Sequence, residues 1–177
     1  IRDTLFDRIN GAAVAVASGS VARLRGVTVE APQDAGFLIG ADSMLAAIDC
    51  RIRGAKLAGV EARDGARVSL RRCVIENADQ GGVLARAGAT LRIERSVVRG
   101  SRLAGVEVRN GASAALAHNR IHDGGASGVY VHGDASATLS DNEISANARA
   151  GIEVASGGRA RLSANALVEN RTEAVLV

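Results

Sequence analysis

Apolar residues recur along this chain in fixed columns 23 residues apart. Gly36, Gly59, Gly82, Gly105, Gly128 and Gly151 mark the period without a slip, and Ala13 and Ala174 extend it both ways. With Gly36 as position 1, the second position reads Val14, Phe37, Val60, Val83, Val106, Val129, Ile152 and Val175. The fourth, twelfth and seventeenth columns are filled in the same way by Val, Ile, Leu and Ala. A period of this length with no insertion is the signature of a solenoid built from stacked equivalent units.

Inside one unit the apolar positions are 2 and 4, then 8, 10 and 12, then 15 and 17. Each cluster alternates with period two, which is the strand period. The pattern therefore predicts three short strands per coil. Bends are expected at position 7 (Gly19, Asp42, Gly65, Gly88, Gly111, Asp134, Gly157), at position 14, and over the small or polar residues at 19–23. Gly and Asp suit the left-handed backbone of such corners. One coil alone would leave its strand amides and carbonyls unpaired, so coils must pair with those above and below. At about 4.8 Å per coil, seven and a half coils give a rod roughly 36 Å long. Position 15 ends in Asn119, Asn142 and Asn165, from LAHNRI, LSDNEI and LSANAL. Their amides are expected to form a structural ladder that satisfies corner groups.

The motif G-V/I-x-V-x-x-G-A-x-A-x-L-x-x-N-x-I resembles the repeat of right-handed parallel β-helix proteins of the pectate-lyase-like class. Residues 119–154, NRIHDGGASGVYVHGDASATLSDNEISANARAGIEV, are similar to carbohydrate-binding and sugar-hydrolase (CASH) β-helix modules, including the β-helical region of certain F-box proteins. The resemblance implies an all-β solenoid of seven to eight coils, starting at 13, 36, 59, 82, 105, 128, 151 and 174. It speaks to fold more than to activity, because such coils serve lyases, hydrolases, epimerases, spikes and binding scaffolds. A leucine-rich repeat shares the period and L-x-x-N-x-L, but the valine-rich alternating return segments here favour the β-helix.

Composition fits that architecture. Phe6, Phe37 and Tyr130 are the whole aromatic set, so the core is made of thin aliphatic layers. No apolar run is long enough to cross a bilayer. The net charge of +3 is weak for a nucleic-acid binder, and without interleaved aromatics nucleic acid is not the expected partner. Charge is uneven: residues 1–104 carry 16 bases and 11 acids, and 105–177 carry 6 and 8. Arg23, Arg25, Arg71, Arg72, Arg92 and Arg95 make one basic area on the middle strand. The repeat covers 1–177 as one β-helix domain, expected to be an internal piece of a longer protein or to associate end to end, because neither end carries a capping element. The sequence leaves the compartment open.

With the interior packed, chemistry is confined to outward positions. Position 3 presents Glu61, Glu107, Tyr130 and Glu153, and position 5 presents Arg63, Arg86, Arg109 and His132. In pectate-lyase-like proteins the corresponding sheet borders the polysaccharide groove, so the resemblance makes these eight residues the candidate binding set. An anionic chain along the rod would meet one guanidinium per coil. The competing reading is a solvated face on which Glu61–Arg63 and Glu107–Arg109 neutralise each other. Catalysis would need either a carboxylate pair such as Glu107 and Glu153, or Tyr130 and His132 as acid and base with Arg109 neutralising a uronate carboxylate. Calcium-binding acidic clusters, clustered aspartates and a DPHD motif are not evident in the sequence, so no catalytic residue is assigned.

No cofactor is expected. His118, Asp141 and the His122–Asp123 pair read as scattered surface groups, and no metal is expected. Cys50 and Cys73 share position 15 and read as buried free thiols. The expectation is thus a non-catalytic scaffold that binds an anionic polysaccharide or a protein, or that assembles. The alternative is a polysaccharide lyase, hydrolase or epimerase acting through the same face.

Overall fold

The computed structural model describes residues 1–17 and 19–177. Each coil contributes three strands, as Val14–Val16, Val21–Arg25 and Thr28–Glu30 do in the first complete one. Stacked strands form three parallel sheets of eight, seven and eight strands among the described residues. We call these the first, middle and third sheets, in the order just given for the strands of one coil. The structure is all-β, a parallel solenoid of about seven turns.

Register follows the repeat without a slip. Val106 pairs with Val129, Leu116 with Leu139 and Ile121 with Ile144, each 23 residues apart. Every strand therefore finds its hydrogen-bond partners in neighbouring coils rather than in its own. The inward columns close into one aliphatic core, in which Phe37, Ile39, Leu70, Ile75, Leu116, Leu139 and Ile152 are fully buried. Position 15 lies in the corner rather than in a strand, one residue before the third strand begins.

The corners carry the backbone that the sequence marks. At position 7 the whole column from Gly19 to Gly157 has positive φ, with Asp42 and Asp134 both at 59°. Position 14 does the same with Arg72, Arg95 and His118 at 51°, 48° and 56°, residues that seldom adopt that region. The glycine of position 1 has another cause. A Cβ on Gly105 would stand 2.6 Å from Ile121 Cγ2 and 2.7 Å from the Gly128 carbonyl oxygen. Gly128 O in turn accepts from Val106 N–H at 2.9 Å. That column is glycine because the coils approach too closely for a side chain.

The position-15 ladder is present. Asn142 Oδ1 accepts from Asn119 N–H and Asn119 Nδ2, both at 3.0 Å, while Asn142 Nδ2 donates to Leu116 O at 2.9 Å. Asn165 repeats the arrangement beneath Asn142. Ser96 continues it upward, its N–H donating to Asn119 Oδ1 and its Oγ accepting from Cys73 N–H. A second ladder stands at position 20, which the sequence reading did not single out. Asn170 Oδ1 accepts from Asn147 Nδ2 at 2.9 Å, and Asn147 Oδ1 accepts from Gly124 N–H at 3.0 Å.

Candidate functional site

The outward residues of the first sheet come from strands such as Val60–Ala62, Val106–Arg109 and Val129–His132. Alternation sends Val106 and Val108 into the core and Glu107 and Arg109 outward. All eight candidate residues lie on or beside this face, with position 3 stacked along the rod: Leu84 registers with Glu107, Glu107 with Tyr130 and Tyr130 with Glu153.

The charges pair across coils more than within them. Glu61 accepts from Arg86 Nε at 3.0 Å and Nη2 at 2.8 Å, so its partner is on the next coil and not Arg63. Arg63 turns instead to Asp64 at 3.7 Å. The expected Glu61–Arg63 neutralisation is corrected accordingly: a side chain leaning along the rod reaches the next coil, one strand spacing away, as readily as its own. The Glu107–Arg109 pair does form, at 3.3 Å, and Glu107 also holds His132 Nε2 at 3.0 Å. Arg109 Nε is buried without a partner among the described residues.

Burial within these pairs is lopsided. Glu61, Glu107 and Glu153 are 13, 16 and 10% exposed at the side chain, whereas Arg86, Arg109 and Arg149 are 30, 36 and 55% exposed. The carboxylates form a lower layer and the guanidiniums cover them. A ligand therefore meets the positive half of each pair first.

Tyr130 and His132 stack, with ring centroids 4.2 Å apart and planes 21° from parallel. Tyr130 also lines a cavity of about 190 Å³ with Glu107, Glu153, Leu103, Ser127 and Arg149. Arg149 Nη2 bonds Glu153 at 3.2 Å, and Ser127 Oγ donates to the other carboxylate oxygen. Arg149, Ser127 and Leu103 belong to the turns after the third sheet and wall the face on one side. The sequence does not announce them, because periodicity marks these turns only as bends. Their signal is the large residues Leu57, Gln80, Leu103 and Arg149 at position 22, where a bend needs none.

The remaining candidates lie elsewhere. His118 and Asp141 sit at left-handed corners, and His122 Nδ1 is bonded to Asp123 Oδ2 at 2.7 Å. Among the described residues no three His, Cys, Asp or Glu side chains converge as metal ligands would. Cys50 and Cys73 are buried free thiols, donating to Ile48 O at 3.3 Å and Ala47 O at 3.5 Å. The interaction between the two neighbouring thiols holds Cys50 low and, together with burial, pushes Cys73 up.

Comparison with known proteins identifies the fold. No curated protein matches the chain significantly. Among solved structures, the A-module of mannuronan C-5 epimerase AlgE6 from Azotobacter vinelandii superposes with a TM-score of 0.81 at 19% identity, covering all of this chain and 54% of that one. The AlgE4 A-module of the same organism gives 0.70 at 17%, covering 100% and 55%. The periplasmic alginate epimerase AlgG gives 0.69 at 12%, covering 88% and 44%. The chain thus spans about half the length of these structures, and at such identities the likeness is one of fold. The family described as the right-handed β-helix region matches residues 58–177. With that match and its unbroken 23-residue stack, the chain belongs to the right-handed β-helix family.

Proposed function

We propose that the first sheet, with the turn wall beside it, binds an acidic polysaccharide of the uronate class lying along the rod, and that it does so as a rigid non-catalytic scaffold. The observation that carries this reading is the two-layer arrangement of Glu61–Arg86, Glu107–Arg109 and Glu153–Arg149, acid beneath and guanidinium outward. Each buried carboxylate fixes a planar fork, and a fork held in place loses little freedom when it takes a second carboxylate. The acids of these pairs, Glu61, Glu107 and Glu153, recur every second coil, about 10 Å apart along the rod, which suits a polymer with regularly repeated charge. Structural neighbours named for mannuronan and alginate chemistry support uronates as the first ligands to test.

The direct test is calorimetry with oligouronates at low salt. Changing one member of a pair would strand a buried charge, so each pair is exchanged whole: Glu61→Gln with Arg86→Gln, and Glu153→Gln with Arg149→Gln. Binding is expected to weaken at least about tenfold in the combined variant while the melting temperature holds. Unchanged affinity would remove this face from consideration.

One observation favours a second reading, a lyase or epimerase acting on the same polymer. Tyr130 presents its ring in the cavity between Glu107 and Glu153, stacked on His132. A phenol in a cavity that Arg149 also lines, stacked on an imidazole whose register partner is Arg109, offers groups for proton transfer next to a carboxylate. Formation of unsaturated ends, or a changed uronate epimer ratio, that disappears in Tyr130→Phe would select this reading over the scaffold.

A further inference from the structure

The third sheet carries a charge cluster that the stack does not require. Glu76, which closes the strand Val74–Glu76, is 4% exposed, as deeply buried as the core around it. Its two carboxylate oxygens go to different coils. Oε1 accepts from Arg51 Nη1 at 3.2 Å on the preceding coil, and Oε2 from Arg99 Nε at 2.9 Å and from Arg99 Nη2 on the following one. The cluster is local to three coils: elsewhere the column of Arg51 holds Val74, Val97 and Ala166 besides the exposed Arg120–Glu143 pair, and that of Glu76 holds Ser145 and Val168 besides Asp7 and Glu30. A buried ionic cluster contributes no more stability than well-packed apolar groups in its place. What this cluster does is hold two guanidiniums still.

Those guanidiniums border a polar cavity of about 360 Å³ that also takes in Arg53, Asn77, Gly100 and Asp123. Arg53 registers with Glu30 on one neighbouring strand and with Glu76 on the other, yet it has no carboxylate within 4.0 Å among the described residues. The acids are already engaged, Glu76 by its two arginines and Asp123 by His122. Left over on the guanidiniums are the whole Arg53 fork, Nε and Nη2 of Arg51, and Nη1 of Arg99, against Oδ1 of the exposed Asp123 and the Asn77 side chain. Within the lining, three arginines against two carboxylates leave one positive charge, with Glu30 one strand beyond Arg53 outside it.

We infer that this cavity is a binding site for a tetrahedral oxyanion, a sulfate or phosphate group, with Arg53 as its main fork and Arg51 and Arg99 on its flanks. Two guanidiniums from one strand, Arg51 and Arg53, and a third two coils on, Arg99, border the same cavity and match a group offering three or more acceptor oxygens better than a planar carboxylate. The site is on a different sheet from the candidate polysaccharide face and shares no residue with it, so the two proposals stand or fall separately.

The experiment titrates the protein with inorganic sulfate, inorganic phosphate and a sulfated oligosaccharide, holding ionic strength constant with sodium chloride. Saturable calorimetric binding is expected for at least one of the three, weakened about tenfold or more in Arg53→Gln. Arg53 is exposed, so the melting temperature of the unliganded variant should not move. Binding of the inorganic ions points to a free anion, and binding of the oligosaccharide alone points to a group carried on a polymer. The Glu61→Gln, Arg86→Gln variant should bind like wild type. No saturable binding by any of the three, or equal affinity in Arg53→Gln, overturns the assignment.

Discussion

Arg86 donates to the carboxylate of Glu61, 25 residues earlier in the chain, and the same offset joins His132 to Glu107 and Glu76 to Arg51. The link runs from one coil to the next and two residues along the strand. It makes the cation the guardian of a nearly buried acid. Arg86→Ala should therefore cost about 2–3 kcal/mol in urea denaturation, because it leaves Glu61 unpaired. Arg63→Ala, whose nearest acid is the exposed Asp64, should stay within about 0.5 kcal/mol.

The ladder gives a sharper case. Removing the side chain of Asn142 leaves the Asn119 backbone N–H and the Leu116 carbonyl without that partner and the Asn119 amide with only its bond to Ile93 O, all of them buried. Asn142→Ala is expected to lose about 2–4 kcal/mol by the same assay. A loss below about 1 kcal/mol would mean that the ladder is ornamental to stability.

Glycine at position 1 is a matter of space. Gly105→Ala must push a methyl against Ile121 and the Gly128 carbonyl, and should destabilise by about 1–3 kcal/mol or more. Gly11, with nothing within 4 Å of where its Cβ would stand, is the control, and Gly11→Ala should be close to neutral.

The thiols are sealed in the corner column. Native protein is expected to show no reaction with Ellman's reagent over the time in which urea-unfolded protein shows two equivalents. Because Cys73 is pushed up by the neighbouring Cys50 thiol and by burial, raising the pH should release no fast phase from Cys73 while the coil is intact. Rapid labelling of both in the native state would contradict the corner packing.

The coil register was legible because one physical rule, pairing at a fixed spacing, acts on every column at once. Val106 beside Val129 needed only counting. The left-handed bends at positions 7 and 14 were legible too, since Gly19 and Asp42 advertise them even where Arg72 and Arg95 do not. The pairing of Glu61 was not, because a column fixes where a side chain starts and not which way along the rod it leans. Nor was the second ladder, whose column holds Pro32, Ala55, Ala78, Ser101 and Gly124 before the two asparagines. Arg149 escaped for a related reason. Its contact with Glu153 arises from a turn folding back over the sheet, which periodicity alone does not describe.

Every column rests on the vertical stacking of residues one period apart, and spin labels measure that stacking. Val21, Met44, Ser136 and Arg159 occupy one outward column of the middle sheet. With Cys50 and Cys73 replaced by valine, as at Val27 in the same column, labels on Met44 and Ser136 should lie about 19 Å apart, on Met44 and Arg159 about 24 Å, and on Val21 and Arg159 about 29 Å. Electron–electron double resonance should return these as equal steps of roughly 5 Å per coil. Distances that do not rise by one strand spacing per coil would contradict the stack, and with it both surface sites.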